Sequence, residues 1–265
     1  MNIKTVQLAN SLTLEYVEQG NPSGPVVICL HGYPDSWQSF APVLPYLSSA
    51  IHAFALSQRG HGNSDRPDEG YDPKDFAADV ALFMDQMNLD AAVIVGHSMG
   101  ATIAQRFALD YPEKTKGLVL IGTFPTFLGN ENMAALYEAV VALSDPVDPS
   151  FMDDFQKSTV VRPLNPPFLQ TLVGESLKVP ARVLKAVLSE LMKADYTKEL
   201  PAVKQPVLLV WGDQDTLTGK ENQHQLLQSI AGARLSVYNG VGHSVHWEEP
   251  QRFAREVEAF VKEKV

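Results

Sequence analysis

Five residues constrain this chain more than any others: Gly96-His97-Ser98-Met99-Gly100. They stand between a continuous apolar run at 92–95 and a helical pattern at 99–111. A chain that leaves a buried strand and enters a helix within one residue has no room for bulky side chains two positions either side of the bend. Gly96 and Gly100 meet that demand, and Ala101 is small as well. Such a bend lifts the serine hydroxyl above the carboxyl edge of a sheet. It also sets the serine at the positive end of a helix, beside unpaired backbone N–H groups. The spacing predicts a strand–turn–helix unit presenting Ser98 as a nucleophile.

The surrounding pattern suits such a unit. Runs at 26–30, 51–55 and 118–121 are as apolar as 92–95, which is how strands buried on both faces read. Shorter runs at 6–8 and 12–17 read as a β-meander. Phe76, Val80, Met84 and Met87 recur at helical spacing behind Pro73, which suits a first helical turn. Alternating strands and helices predict a mostly parallel sheet covered by helices. The alternation stops at Phe124. From there to Gln205 come helical stretches at 131–143, 151–157, 167–177 and 181–193, punctuated by prolines, with no strand. Strands resume at 206–211 and 235–238, with helices near 219–230 and 250–261. The chain therefore divides into an α/β core, 1–123 and 206–265, and a helical cap at 124–205, a candidate lid.

A serine hydroxyl needs a base. His243 stands between glycines in Gly240-Val241-Gly242-His243, just past the strand at 235–238; His246 is its competitor, as a surface or helix-approach residue. The imidazole in turn needs a carboxylate. Trp211-Gly212-Asp213-Gln214-Asp215 follows the strand at 206–211 and offers two, Asp215 as the choice and Asp213 as the alternative or a turn-capping residue. The order Ser, Asp, His suits a sheet of this kind. Two backbone N–H groups are candidates for an oxyanion hole: Met99, directly after the nucleophile, and Tyr33, in the exit loop His31-Gly32-Tyr33-Pro34-Asp35-Ser36-Trp37.

Together these residues resemble the α/β-hydrolase superfamily, over almost the whole chain. The resemblance includes Gln58-Arg59-Gly60-His61-Gly62-Asn63-Ser64-Asp65, although Ser57 stands where many relatives have aspartate. It implies an eight-stranded, mostly parallel sheet flanked by helices with an inserted helical cap. It also implies a serine hydrolase that cleaves a small-molecule carboxylic ester or lactone through an acyl-enzyme. Epoxide hydrolases and haloalkane dehalogenases of the superfamily carry aspartate at the elbow, so Ser98 turns the reading away from them. Carbon–carbon bond hydrolases, cofactor-free perhydrolases and low-turnover ligand sensors share the serine and stay open. Apolar cap residues such as Met133 and Leu136 pack the cap or line an acyl pocket. The lining candidates are Trp37, Phe124, Phe127, Tyr137, Phe155 and Met192.

Composition narrows the partners. A formal net charge of -10 disfavours nucleic acid and anionic membranes. No apolar run approaches the roughly 18 residues of a membrane span. The N-terminal stretch lacks a signal-peptide pattern. The one cysteine, Cys29, has no intrachain partner. A cytoplasmic monomer or homodimer is expected. His243 and His246 lack a second ligand pair nearby, and neither a G-x-G-x-x-G nor a P-loop is present, so no metal and no cofactor are expected.

Overall fold

A computed structural model describes residues 2–264. Eight strands form one sheet: β1 (Ile3–Gln7), β2 (Thr13–Gln19), β3 (Val26–Leu30), β4 (His52–Ser57), β5 (Ala92–His97), β6 (Thr115–Ile121), β7 (Val207–Gly212) and β8 (Arg234–Tyr238). Their order across the sheet is β1-β2-β4-β3-β5-β6-β7-β8. The β1/β2 and β2/β4 pairs are antiparallel and all others are parallel. The continuous apolar runs have a simple cause. Ile28, Leu30, Ile94, Leu118 and Leu120 belong to one buried layer, while Val27, Cys29, Val93, Val95 and Val119 belong to the other. Both sheet faces are therefore covered, and each inner strand needs apolar residues at consecutive positions.

The first strand occupies Ile3–Gln7, not 6–8. Leu8 begins the reversal instead, with Leu8 N–H donating to Leu12 O and Ser11 N–H to Leu8 O, so the hairpin turn takes the end of the apolar run. Helix α1 (Pro73–Gln86) starts as its proline suggests: Asp72 caps Lys74 N–H, and Asp75 reaches back to Asp72 N–H. Helix α2 (Met99–Asp110) follows β5. Four helices intervene between β6 and β7 and make the cap: α3 (Glu131–Val141), α4 (Pro149–Ser158), α5 (Pro166–Ser176) and α6 (Ala181–Leu191). Past β7 come α7 (Lys220–Ser229), a one-turn helix α8 (Val245–Glu248) that the sequence pattern does not announce, and α9 (Pro250–Lys264). No helix among the described residues is long and apolar enough to cross a membrane.

Strand order places the site. β3 lies between β4 and β5, so the loops leaving β3 and β5 diverge and open a crevice at their carboxyl ends, where parallel α/β sheets bind ligands. The loop after β4 is steadied by a carboxylate from an unexpected strand. Ser57 faces Glu15 of β2 in the sheet register and donates to its Oε1 at 3.0 Å. The acidic group that the family resemblance places at position 57 thus arrives from across the sheet.

Candidate active site

The elbow is as tight as its glycines require. A Cβ on Gly96 would lie 2.3 Å from Gly100 O, and one on Gly100 would lie 2.1 Å from Leu30 O. Ser98 itself has φ 50 and ψ −111, a conformation that costs a non-glycine residue about 1–3 kcal/mol. The surrounding ladder holds it there, with Ser98 N–H donating to Ile121 O at 2.9 Å. The loop after β3 lies against this turn: a Cβ on Gly32 would meet His97 Nδ1 at 2.6 Å and Ser98 Cβ at 3.4 Å. His31 braces that loop as a neutral imidazole, its Nδ1 bonding Gly32 O at 2.8 Å and its Nε2 accepting from Gln58 N–H at 3.0 Å. No hydrogen bond from the N–H of Tyr33 or Met99 is found among the described residues.

His243 Nδ1 lies 2.8 Å from Asp215 Oδ2, and both side chains are buried. The carboxylate is also held by Leu217 N–H at 2.8 Å, Thr218 N–H at 3.0 Å and the Thr218 hydroxyl. Burial alone would raise the Asp215 pKa. The facing His243 and the Thr218 hydrogen bonds outweigh it and hold the carboxyl below its ordinary value. An ionised Asp215 only accepts, so Nδ1 of His243 carries a hydrogen, and in the neutral ring that tautomer leaves the lone pair on Nε2. That Nε2 is buried and has no hydrogen-bond partner. Asp213, the alternative, accepts from Gly240 N–H at 2.7 Å and caps the turn.

Tyr33, Ser98, Met99 and His243 line one cavity. Phe127 and Phe155 line it as well, with Met133 and Leu136 of α3, Leu188 and Leu191 of α6, and Trp247. The enclosed space is about 20 Å³, room for about one water molecule. Four lining candidates lie elsewhere. Trp37 belongs to the opposite buried layer with Cys29 and Phe40, because the chain turns there into a short helical turn, Trp37–Phe40. Phe124 stands one layer back, its ring packed edge-on against Phe127 at 4.2 Å. Tyr137 and Met192 follow lining residues directly, and a step of about 100° around a helix turns them away. His246 departs from its expected surface role. It is fully buried, bonds Ser39 Oγ at 3.1 Å and packs on Phe40, and burial pushes its pKa down to about 3.

Four polar cavity residues were not singled out by the sequence patterns: Asp35, His97, Gln156 and Thr159. Asp35 had a faint signal, two positions past Tyr33 in the same loop. Gln156 had none, standing in an amphipathic stretch rich in charge. Among the described residues no cluster of three or more His, Cys, Asp or Glu side chains is arranged to hold a metal ion.

The chain belongs to the α/β-hydrolase family: the model described as alpha/beta hydrolase fold matches residues 25–250. It is a hydrolase of that fold. A non-heme chloroperoxidase of Streptomyces lividans is 27% identical over 280 residues, spanning 97% of this chain and 99% of the relative. The solved structure of an esterase from Exiguobacterium antarcticum matches with a TM-score of 0.88 at 24% identity, over 98% of this chain and 99% of that one. An esterase from Rhodococcus sp. matches at 0.87 and 24%, over 100% of both chains. At such identities these two structures speak for the fold.

Proposed function

We propose that the protein is a serine hydrolase of carboxylic esters or lactones, working through an acyl-enzyme on Ser98. The observation that carries this reading is the buried, unpartnered Nε2 of His243, its Nδ1 bound to Asp215 at 2.8 Å, in the cavity that Ser98 enters. In the proposed reaction Ser98 Oγ attacks the carbonyl carbon while His243 Nε2 takes its proton. Asp215 stabilises the resulting imidazolium. The N–H groups of Met99 and Tyr33 receive the charge that forms on the carbonyl oxygen, each worth roughly 10²–10³ in rate. The imidazolium protonates the departing alkoxide, and the neutral ring then draws a proton from water to release the acid. The apolar wall of Phe127, Met133, Leu188 and Leu191 favours an apolar acyl group, and the small enclosed space requires those side chains to give way on binding.

The test is twofold. A fluorophosphonate should label Ser98, and the protein should hydrolyse short- and medium-chain nitrophenyl esters. A protein that takes no label at Ser98 and turns over no ester is not an acyl-transfer enzyme. The chloroperoxidase relative supports a second reading, in which hydrogen peroxide replaces water in opening the acyl-enzyme and yields a peracid. Peracid formation from acetate and hydrogen peroxide, faster than ester hydrolysis, selects it. We further propose a cytoplasmic setting, on the absence of a disulfide partner for Cys29.

A further inference from the structure

One polar cluster in the cavity wall takes no part in acyl transfer. Asp35, 1% exposed, accepts from Gln156 Nε2 at 2.8 Å through one oxygen and from Ser39 Oγ at 3.2 Å through the other. Gln156, 0% exposed, sends a second bond from Nε2 to Ser176 Oγ at 2.9 Å, and that hydroxyl donates to Leu172 O at 2.8 Å. Both amide hydrogens are thus used, one on Asp35 Oδ1 and one on Ser176 Oγ, whose own hydrogen is committed to Leu172 O, and this sets which way the amide points. Gln156 Oε1 is left buried with no donor. Gln156 and Asp35 line the same cavity as Ser98 and His243, in a wall otherwise dominated by Phe127, Met133, Leu188 and Leu191. Gln58, Gln105 and Gln223 also have a buried Oε1 without a donor, but of the four only Gln156 lines the cavity, and there a ligand that brings the donor removes the cost of the unpaired acceptor.

We infer that Gln156, oriented by Asp35, is a specificity-determining residue that accepts a hydrogen bond from a hydroxyl group carried by the substrate. The inference rests on the esterase reading of the site and names its substrate class: hydroxylated esters or lactones, apolar along the rest of the acyl group. A neutral hydroxyl suits this place better than an ammonium group. Both Asp35 oxygens are already engaged by protein groups, and a cation would lose its hydration against an apolar wall. Burial also pushes the Asp35 pKa up to about 7, which weakens it as a counter-ion near neutrality. A pocket built to bond a hydroxyl discriminates against the analogue lacking it more sharply than an apolar pocket discriminates a methylene.

The experiment compares two matched pairs: 4-nitrophenyl butyrate with its 3-hydroxybutyrate, and propyl butyrate with 2-hydroxyethyl butyrate. The ratio of kcat/KM, hydroxylated over plain, should fall by about tenfold from wild type to Gln156→Met in at least one pair. An unchanged ratio in both pairs overturns the inference. Calorimetric binding of the same four esters to Ser98→Ala gives a readout that needs no turnover and no change at position 156. There the hydroxylated ester should bind about tenfold tighter in one pair, and equal or weaker binding in both overturns the inference even if Gln156→Met fails to fold. Wild type that hydrolyses none of the four while Ser98→Ala still prefers the hydroxylated partner strikes the esterase reading and leaves the recognition role standing.

Discussion

The cavity has two walls of different construction. The sheet-edge wall is backbone work: Ser98 and the loops around it are set by glycines against which no Cβ fits and by ladder hydrogen bonds. The cap wall is side-chain work, with Phe127, Met133, Leu136, Phe155, Leu188 and Leu191 reaching in from separate segments. The cap shares one buried apolar layer with the core, through Val183, Leu184 and Leu188 among others, and is pinned there by single polar groups. Glu248 accepts from Val161 and Arg162 N–H, Arg182 donates to Arg66 O and Pro67 O, and Gln156 holds Asp35. On the proposed reading, the groups that hold the reacting atoms sit on segments fixed by the main chain, and the wall that would choose among substrates rests on residues replaceable one at a time.

The largest expected effect lies on the first wall. Ser98→Ala should lower kcat on 4-nitrophenyl butyrate by about 10⁶-fold with an unchanged far-ultraviolet spectrum. A loss of less than about tenfold moves the nucleophile elsewhere. Asp215→Asn should cost about 10⁴-fold in kcat. Asp213→Asn, whose side chain bonds Gly240 N–H and Gln214 Nε2 and not His243, should stay close to wild type. Equal losses for the two would blur the choice between them.

Stability separates the walls next. Gly100→Val drives a Cβ to 2.1 Å from Leu30 O and should cost about 3 kcal/mol or more in urea unfolding. Acidification should act mainly through the buried imidazoles near the sheet edge. His246 and His61 take a proton in the fold only near pH 3 and pH 4 respectively, whereas the unfolded chain takes one at its ordinary value of 6.5. Protons therefore bind the unfolded state first, and stability should fall as pH drops from 6.5 towards 4. Asp35 works in the opposite sense. It stays protonated in the fold up to about pH 7 but ionises near 3.8 unfolded, so its contribution is lost as pH rises between them. Melting temperatures against pH should therefore show a steeper acid loss in Asp35→Asn and a flatter one in His246→Gln. The reverse pattern would place the titrating groups elsewhere. The smallest effect belongs to the cap. A Cβ on Gly174, inside α5, meets nothing within 4 Å, so Gly174→Ala should stabilise by about 0.5–1 kcal/mol.

The elements were mostly legible because their causes are local. Apolar runs announce strands buried on both faces, Pro73 opens α1, and the helical stretches of the cap fall close to α3–α6. The failures are places where a neighbour in space decides. Leu8 looked like strand and is turn, and α8 is a single helical turn too short for a period to show. Trp37 looked like pocket because it follows the loop of Tyr33, yet it packs beneath the other sheet face.

By itself the sequence determined the bend at Ser98, since the sterics of Gly96, Gly100 and the strand–helix junction span a few residues. It also narrowed the partners to one of two histidines, with His243 preferred, and one of two aspartates, with Asp215 preferred. Only the tertiary structure decided that Asp215 faces His243, that His246 is buried beside Phe40, and that Gln156 meets Asp35 across 121 residues of chain. The physical reason is one of range. A backbone turn is set by bonded neighbours, whereas a cavity wall is set by which distant side chains the packing of sheet and cap brings within a hydrogen bond's length.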